Sequence, residues 1–157
     1  MAQVLATPGV YIEEKSAFPS SAVQVATAIP AFVGYTEKAV RANKSLKNIP
    51  TRITSLGEFH QYFGGGPMTT FAVSADESTG FKVETDAASK FNLYRSLRMF
   101  FSNGGSTCYI VSVGDYSNGV NFKDLNDDAA ESGIPTLLKY PEPTMVVIPD
   151  AVLLEDN

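Results

Sequence analysis

The sequence predicts an α/β fold, a mixed sheet with flanking helices, and three observations lead to that prediction. Apolar segments typical of strands alternate along the chain with segments of helical periodicity. One continuous stretch, residues 92–114, contains an amphipathic helix, a glycine stop and a strand in direct succession. The chain has 157 residues, 44% of them hydrophobic, so it is long enough to bury a single core.

The first 22 residues differ from the rest of the chain. Pro8, Gly9 and Pro19 interrupt them, and their strand-like piece, residues 10–13, is too short to fold alone. We therefore predict an extended N-terminal arm, residues 1–22, and a core domain, residues 23–157. On the residues alone, the strand-like piece is expected to be an edge strand of the chain's own sheet.

The core domain begins with a strand and a capped helix. Residues 22–35 are rich in Val, Ala, Ile and Phe and predict strand structure, in which Pro30 indicates an edge or a bulge. Ser55 and Glu58 have the spacing of a capping box, in which the Ser55 side chain accepts from the Glu58 amide and the Glu58 carboxylate accepts from the Ser55 amide. Three glycines from Gly64 onwards, followed by a proline, end this helix.

A β-hairpin is predicted after that helix. Residues 71–74 and 81–84 both alternate apolar and polar side chains, and the polar segment 75–80 lies between them. The pattern indicates a hairpin with a loop of about six residues. We expect it to be a surface insertion in the core domain.

The rest of the chain continues the alternation of helices and strands. The predicted elements are a helix at 92–102, a central strand at 108–111, a helix around 122–131, a helical turn after Pro135, a strand at 144–148, and a final helix with Asp150 as a candidate cap. The inner faces of the predicted elements supply the expected core packing: Phe59, Phe63, Leu93, Leu97, Phe100, Phe101, Tyr109 and Val111.

The residue types that carry catalysis are scarce. His60 is the only histidine and Cys108 the only cysteine, so the chain has too few ligands for a structural zinc site. One histidine makes no serine or cysteine triad by itself, and His60, on the flank of the apolar face of its predicted helix, is expected to be a partly exposed structural histidine. The apolar neighbours of Cys108 predict a packed thiol. Both glycine clusters, 64–66 and 103–105, follow predicted helices, which favours helix termination over phosphate binding. We expect no catalytic residue, no metal, no cofactor and no enzymatic activity.

The charge and the hydropathy of the sequence argue against nucleic acid and membranes as partners. Twelve basic and seventeen acidic residues give a net charge of −5, which disfavours nucleic acid as a partner. No segment has the pattern of a signal peptide, and no apolar run reaches the ~20 residues of a membrane helix, so we expect no membrane insertion. The basic run, Lys38, Arg41, Lys44 and Lys47, is expected to be a solvated loop or helix face.

The acidic residues form two groups in the sequence. Their spacing lacks the regular alternation and the central glycine of a calcium loop, so we expect solvated helix surface. The groups are Asp124, Asp127, Asp128 and Glu131, and Asp150, Glu155 and Asp156.

Five segments stand out as an ordered set that spans nearly the whole chain. They are residues 7–14 (TPGVYIEE), 28–37 (AIPAFVGYTE), 50–64 (PTRITSLGEFHQYFG), 92–114 (NLYRSLRMFFSNGGSTCYIVSVG) and 142–151 (EPTMVVIPDA). The set resembles the contractile tail sheath proteins, which form the outer cylinder of contractile phage tails and of related bacterial injection systems. Each segment alone is partly a generic strand or helix pattern, whereas the ordered set is specific.

The resemblance implies a structural role. In sheath proteins the arm leaves its own subunit and adds a strand to the sheet of a neighbour, which is β-augmentation used for polymerisation. Stacked six-subunit rings surround an inner tube, and their contraction drives the tube outward without nucleotide hydrolysis. The arm residues expected at the contact between subunits are Val4, Leu5, Val10, Tyr11, Ile12 and Glu13.

The resemblance also implies the partners and the location of the protein. The partners are other sheath subunits, the inner tube protein, and the baseplate and tail terminator proteins. The location is a virion tail or a phage-tail-like particle, assembled in the bacterial cytoplasm. Sheath proteins are longer than this chain, so it resembles their N-terminal portion, and the core domain is expected to be truncated at its C-terminus.

Two alternatives stay open. The same alternation of helices and strands occurs in small α/β enzymes and nucleotide-binding modules. A sheath-like adaptor or baseplate protein that binds a sheath end is the other alternative.

Overall fold

The computed structural model describes residues 28–76, 78, 80–85 and 90–154. The predicted arm, with Val4, Leu5, Val10, Tyr11, Ile12 and Glu13, lies outside the described residues. The described strands are β1 (Pro30–Tyr35), β2 (Val40–Arg41), β3 (Lys44–Ser45), β4 (Thr51–Ile53), β5 (Phe71–Asp76), β6 (Gly80–Thr85), β7 (Cys108–Gly114), β8 (Asn126–Asp127), β9 (Ser132–Gly133) and β10 (Met145–Val147). The described helices are α1 (Leu56–Phe63), α2 (Leu93–Ser102), α3 (Phe122–Leu125) and the 3₁₀ helices Ile134–Lys139 and Pro149–Leu153.

A four-stranded mixed sheet with the order β10-β1-β7-β4 organises the fold. Strand β1 pairs in parallel with both β10 and β7, and β4 runs antiparallel to β7. The helices cover this sheet, so the predicted α/β class with a mixed sheet is confirmed. The predicted hairpin is confirmed as well, because β5 and β6 pair antiparallel over their whole length. Its predicted loop of about six residues is too long, since the strands continue to Asp76 and start at Gly80, and only residues 77–79 lie between them.

The two central strands are apolar on both faces, as buried strands are. In β1, Ala31, Val33 and Tyr35 enter a core cluster on one face of the sheet, while Phe32 enters a second cluster on the other face. Pro30 does not mark an edge, which corrects that prediction. It is the first residue of a central strand, a position where the missing N–H is tolerated.

Helices α1 and α2 pack on the sheet face that carries Phe32. Of the eight residues expected to pack in the core, the structure buries Phe59, Phe63, Leu93, Leu97, Tyr109 and Val111. Phe100 and Phe101, in the last turn of α2, are only partly buried and pack against the margin of the cluster. Phe100 meets the Phe32 ring edge-on, with 5.6 Å between ring centroids.

The capping box of α1 forms only in part. The Ser55 hydroxyl accepts from the Glu58 amide at 3.2 Å, as predicted. The Glu58 carboxylate, however, accepts from the amide and the hydroxyl of Thr54, at 2.7 and 3.0 Å, and not from the Ser55 amide. One oxygen of the Glu58 carboxylate thereby accepts two hydrogen bonds from Thr54, whereas in the predicted capping box it would accept one, from the Ser55 amide.

The helix predicted around residues 122–131 is wrong beyond Leu125, where α3 ends after four residues. The Asp127 carboxylate accepts from the amides of Ala129 and Ala130, at 3.0 and 3.1 Å. Such a side-chain bond to the following amides favours a turn over a helix. The chain therefore reverses through the short β8–β9 pair instead of continuing as a helix.

Asp150 is neither a cap of its own helix nor a solvated carboxylate, which corrects both predictions. Its side chain is fully buried and accepts from the Tyr35 amide at 3.1 Å and from the Asn92 amide at 2.6 Å. A Cβ at position 34 would lie 2.5 Å from the carboxylate, so Gly34 makes room for it. The carboxylate thus joins the end of β1 to the amino end of α2, where the helix dipole favours negative charge.

Burial raises the pKa of the Asp150 carboxyl, against the opposing effect of hydrogen bonds from the Asn92, Tyr35 and Leu93 amides. A raised pKa means that the folded state holds the proton more strongly than the unfolded state, whose carboxyl pKa is about 4. The contribution of Asp150 to folding stability is therefore largest below that unfolded value. It is lost as the pH rises through the raised pKa of the folded state.

Asp150→Asn should remove this pH dependence. We expect the free energy of unfolding of the native protein, measured relative to that of the variant by urea denaturation, to fall as the pH rises from about 4 and then to level off. Asp128→Asn, at an exposed carboxylate, is the control and should not reproduce the trend. A difference that grows with pH would contradict the assignment of Asp150 as the titrating group.

Candidate interaction surface

The hairpin formed by β5 and β6 has one apolar and one polar face. Successive side chains of a strand point to opposite faces, so every second residue of each strand shares a face. Residues of the apolar face, in cross-strand pairs, are Phe71 with Thr85, Val73 with Val83, and Ala75 with Phe81. The other face contains Ala72, Ser74, Lys82 and Glu84, and Lys82 and Glu84 form an exposed ion pair at 2.6 Å.

The apolar face is open to solvent. Phe71 is 61% exposed, Val73 64%, Phe81 72% and Val83 61%. A two-stranded hairpin in water is marginally stable by itself, and an exposed ion pair adds little to it. Contiguous exposed apolar side chains of this kind mark interaction surfaces. We call this set of residues, together with Ala75 and Thr85, the hairpin face.

Polar contacts fix the chain where it leaves α1 towards the hairpin. The Glu37 carboxylate accepts from the Gly65 amide at 2.6 Å, and the Tyr116 hydroxyl donates to the Gly65 carbonyl at 3.1 Å. The Tyr94 ring lies against Gly66. The glycine cluster after α1 therefore both ends the helix, as predicted, and supplies a backbone that three side chains can approach closely.

His60 and Cys108 take structural positions, as the sequence predicted for both. His60 is exposed, and its Nε2 lies 2.9 Å from the Tyr94 hydroxyl. Cys108 is buried, and burial raises the pKa of its thiol to about 12, so the thiolate needed for nucleophilic attack does not form near neutral pH. The pair of His60 and Tyr94 stands beside the glycine cluster and helps to hold the Tyr94 ring there.

The basic run lies on the surface. Lys38, Arg41, Lys44 and Lys47 are exposed on and around the β2–β3 pair, as predicted. Within the described ranges, no three His, Cys, Asp or Glu side chains are close enough to hold a metal ion. None of the described helices has the length and apolar character needed to cross a membrane.

The first acidic group is not a helix surface, because α3 ends before most of it. Asp124 accepts from the Tyr35 hydroxyl at 2.9 Å, and Glu131 pairs with Lys139 at 2.5 Å. Burial is the main reason that the pKa of Tyr35 is raised to about 12. Glu155 and Asp156 lie outside the described residues.

Two further exposed apolar features belong to the sheet and its helices. Strand β10 lies at an edge of the sheet, no described strand pairs with its outer side, and Met145 and Val146 are exposed. A groove of about 560 Å³ runs between α2 and the 3₁₀ helix Pro149–Leu153, with Met99 and Val152 among its lining residues. The open backbone of an edge strand can accept a further strand.

Comparison of the sequence with models of known protein families and with curated proteins finds no match. The resemblance to sheath proteins therefore depends on the five quoted segments. Sequence reasoning found the hairpin but missed the hairpin face as a surface. The signal was present, since Phe and Val recur at every second position of both strands, but alternation alone does not reveal whether a face is covered.

Gly66→Ala should disturb the base of the hairpin, because a Cβ at this position would collide with the Tyr94 ring. We expect a loss of about 1 to 3 kcal/mol in the free energy of unfolding. Gly65→Ala is the matched control, since its Cβ would make an ordinary contact at 3.6 Å with Glu37. Chemical denaturation of both variants decides the point, and an equal effect of the two would refute the role given to Tyr94.

Proposed function

We propose that this chain is a structural assembly subunit of the contractile-sheath kind and acts through protein–protein contacts. The observation that carries the proposal is the hairpin face, an amphipathic two-stranded element whose apolar side is open to solvent. Exposure of these apolar side chains to water is unfavourable in free energy, and contact with another protein would remove them from water. The five ordered segments supply the more specific part of the proposal, the sheath.

In the proposed sheath, the chain polymerises by exchange of its N-terminal arm and surrounds an inner tube. Its partners are other sheath subunits in stacked six-subunit rings, the inner tube protein, and baseplate and terminator proteins. The outer edge of β10 gives such an assembly an open strand edge. Contraction then releases the free-energy difference between two packings of the same subunits, and no nucleotide needs to be hydrolysed.

Immunogold electron microscopy tests the sheath proposal directly. An antibody raised against the purified chain is applied to high-molecular-mass particles sedimented from the cells that produce it. We expect gold along the whole outer surface of tail-like cylinders. Gold at one end of the cylinders only would indicate an adaptor or baseplate protein instead of a sheath subunit. Protein found only outside particles would refute assembly.

Charged substitutions in the arm test its role in assembly. Val10→Asp combined with Ile12→Asp should block assembly but leave the subunit folded, because both charges would enter the sheet of a neighbour. Ser16→Asp, outside the strand-like piece, is the control. The measurement is the fraction of subunit that sediments as particles, with circular dichroism of the soluble fraction. Normal-length cylinders from the double variant would rule out strand exchange through residues 10–13.

A further inference from the structure

The same short sequence, Ser-Asn-Gly, occurs at two places on the described surface. Its asparagines are Asn103 and Asn118, and both are exposed. A Cβ added to the glycine that follows, Gly104 or Gly119, would meet no atom within 4 Å. Because local sequence and free space are alike, a difference in reactivity between the two sites has to come from hydrogen bonds and backbone conformation.

An asparagine that precedes a glycine can react with its own backbone. The nitrogen of the following peptide attacks the carbon of the side-chain amide, a new C–N bond forms, and the bond to the side-chain nitrogen breaks. That nitrogen leaves as ammonia with the proton of the attacking peptide. Water then opens the cyclic imide, mainly at the carbonyl that belonged to the backbone, which gives isoaspartate, and otherwise at the side-chain carbonyl, which gives aspartate. A glycine favours the attack because it has no side chain to hinder it.

The end of α2 holds Asn103 away from this reaction. Its side-chain Nδ2 donates to the Met99 carbonyl at 2.8 Å, and the attacking group, the Gly104 amide, donates to the Phe101 carbonyl at 3.2 Å. The backbone ψ of Asn103 is 17°, which turns the Gly104 nitrogen away from the side-chain amide carbon. Reaction at Asn103 therefore requires the loss of both hydrogen bonds and a rotation of the backbone at the helix end.

Asn118 lies between β7 and α3 and is held much less. Its side-chain Nδ2 has one long contact, 3.5 Å to the Ser117 hydroxyl. Within the part of the chain that the structure describes, the Gly119 amide donates to no backbone or side-chain acceptor. Strand and helix bonds do not reach this amide either, since β7 ends at Gly114 and α3 begins at Phe122.

We propose that Asn118 is a site of spontaneous deamidation in the folded chain, with isoaspartate as the main product, and that Asn103 is protected from it. The reaction uses no reagent other than water, and it does not depend on the proposed assembly role. Each event replaces a neutral amide by a carboxylate and adds one negative charge to a chain whose net charge is −5.

The modified segment lies between two fixed points of the fold. On one side the Tyr116 hydroxyl donates to the Gly65 carbonyl at 3.1 Å. On the other side the Asn121 amide donates to the Tyr35 hydroxyl at 2.9 Å. Isoaspartate adds a methylene to the main chain between these points, and the open surroundings of Gly119 leave room for the extra length. The chain should therefore stay folded after the modification.

Peptide mapping by mass spectrometry, on the purified full chain aged in mildly alkaline buffer, tests the proposal. Asn118 should deamidate at least about tenfold faster than Asn103, because each hydrogen bond that has to break lowers the reactive population. The rate at Asn118 should rise with pH, since the attacking nitrogen has to lose its proton. Chromatography should show mainly the isoaspartyl peptide. Aspartate alone would indicate direct hydrolysis of the side chain and would overturn the proposed reaction.

The same chain in concentrated urea is the matched control. Unfolding removes the hydrogen bonds at both sites, so Asn103 and Asn118 should then react at similar rates. Equal rates in the folded chain, or a faster reaction at Asn103, would overturn the inference. A folded chain that leaves Asn118 intact while the chain in urea reacts would overturn it as well.

Gly119→Ala tests which nitrogen attacks. The added methyl group hinders ring closure, so deamidation at Asn118 should slow by about tenfold or more, while the rate at Asn103 stays unchanged. A Cβ at this position meets no atom within 4 Å, so the variant should fold, and circular dichroism verifies that it does. An unchanged rate at Asn118 in the folded variant would refute attack by the nitrogen of residue 119.

Discussion

The buried carboxylate of Asp150 joins three segments that are far apart in the sequence. It accepts from the backbone of Tyr35 at the end of β1 and from that of Asn92 at the start of α2, and it stands on the 3₁₀ helix Pro149–Leu153. Removing a carboxylate from water is costly, which is why its pKa is raised, and the bonds from backbone amides and the dipole of α2 offset that cost. This contact fixes the amino end of α2 beside β1, and the packing of Leu93 and Leu97 against the sheet holds the rest of the helix.

Side chains that lie near the joined ends of β1 and α2 also contact the segment that precedes the hairpin. Once α2 is fixed, its Tyr94 lies against Gly66, and Glu37, two residues beyond the end of β1, reaches the Gly65 amide. The segment that leads from α1 to the hairpin is therefore held by Tyr94 of α2, by Glu37 just beyond β1 and by Tyr116 just beyond β7. These contacts hold the base of the hairpin, while Phe71, Val73 and Val83 on its apolar face are more than half exposed.

Local patterns in the sequence sufficed for some elements and failed for others. Helix α2 and strand β7 were predictable because apolar periodicity, a glycine stop and a continuous apolar run succeed one another in residues 92–114. The end of α3 was missed because it depends on a turn that the Asp127 side chain forms with two following amides. Asp150 was misjudged because its partners are backbone amides 58 and 115 positions away, which leave no trace in side-chain composition.

The buried polar atoms of the core and the apolar side chains of the hairpin differ in their surroundings. Among the described residues, every buried side-chain nitrogen and oxygen has a hydrogen-bond partner. The hairpin face, in contrast, leaves its apolar side chains in water, and its stability rises with any partner that covers them. The outer edge of β10, with which no described strand pairs, is a second surface with open backbone groups that a further strand can use.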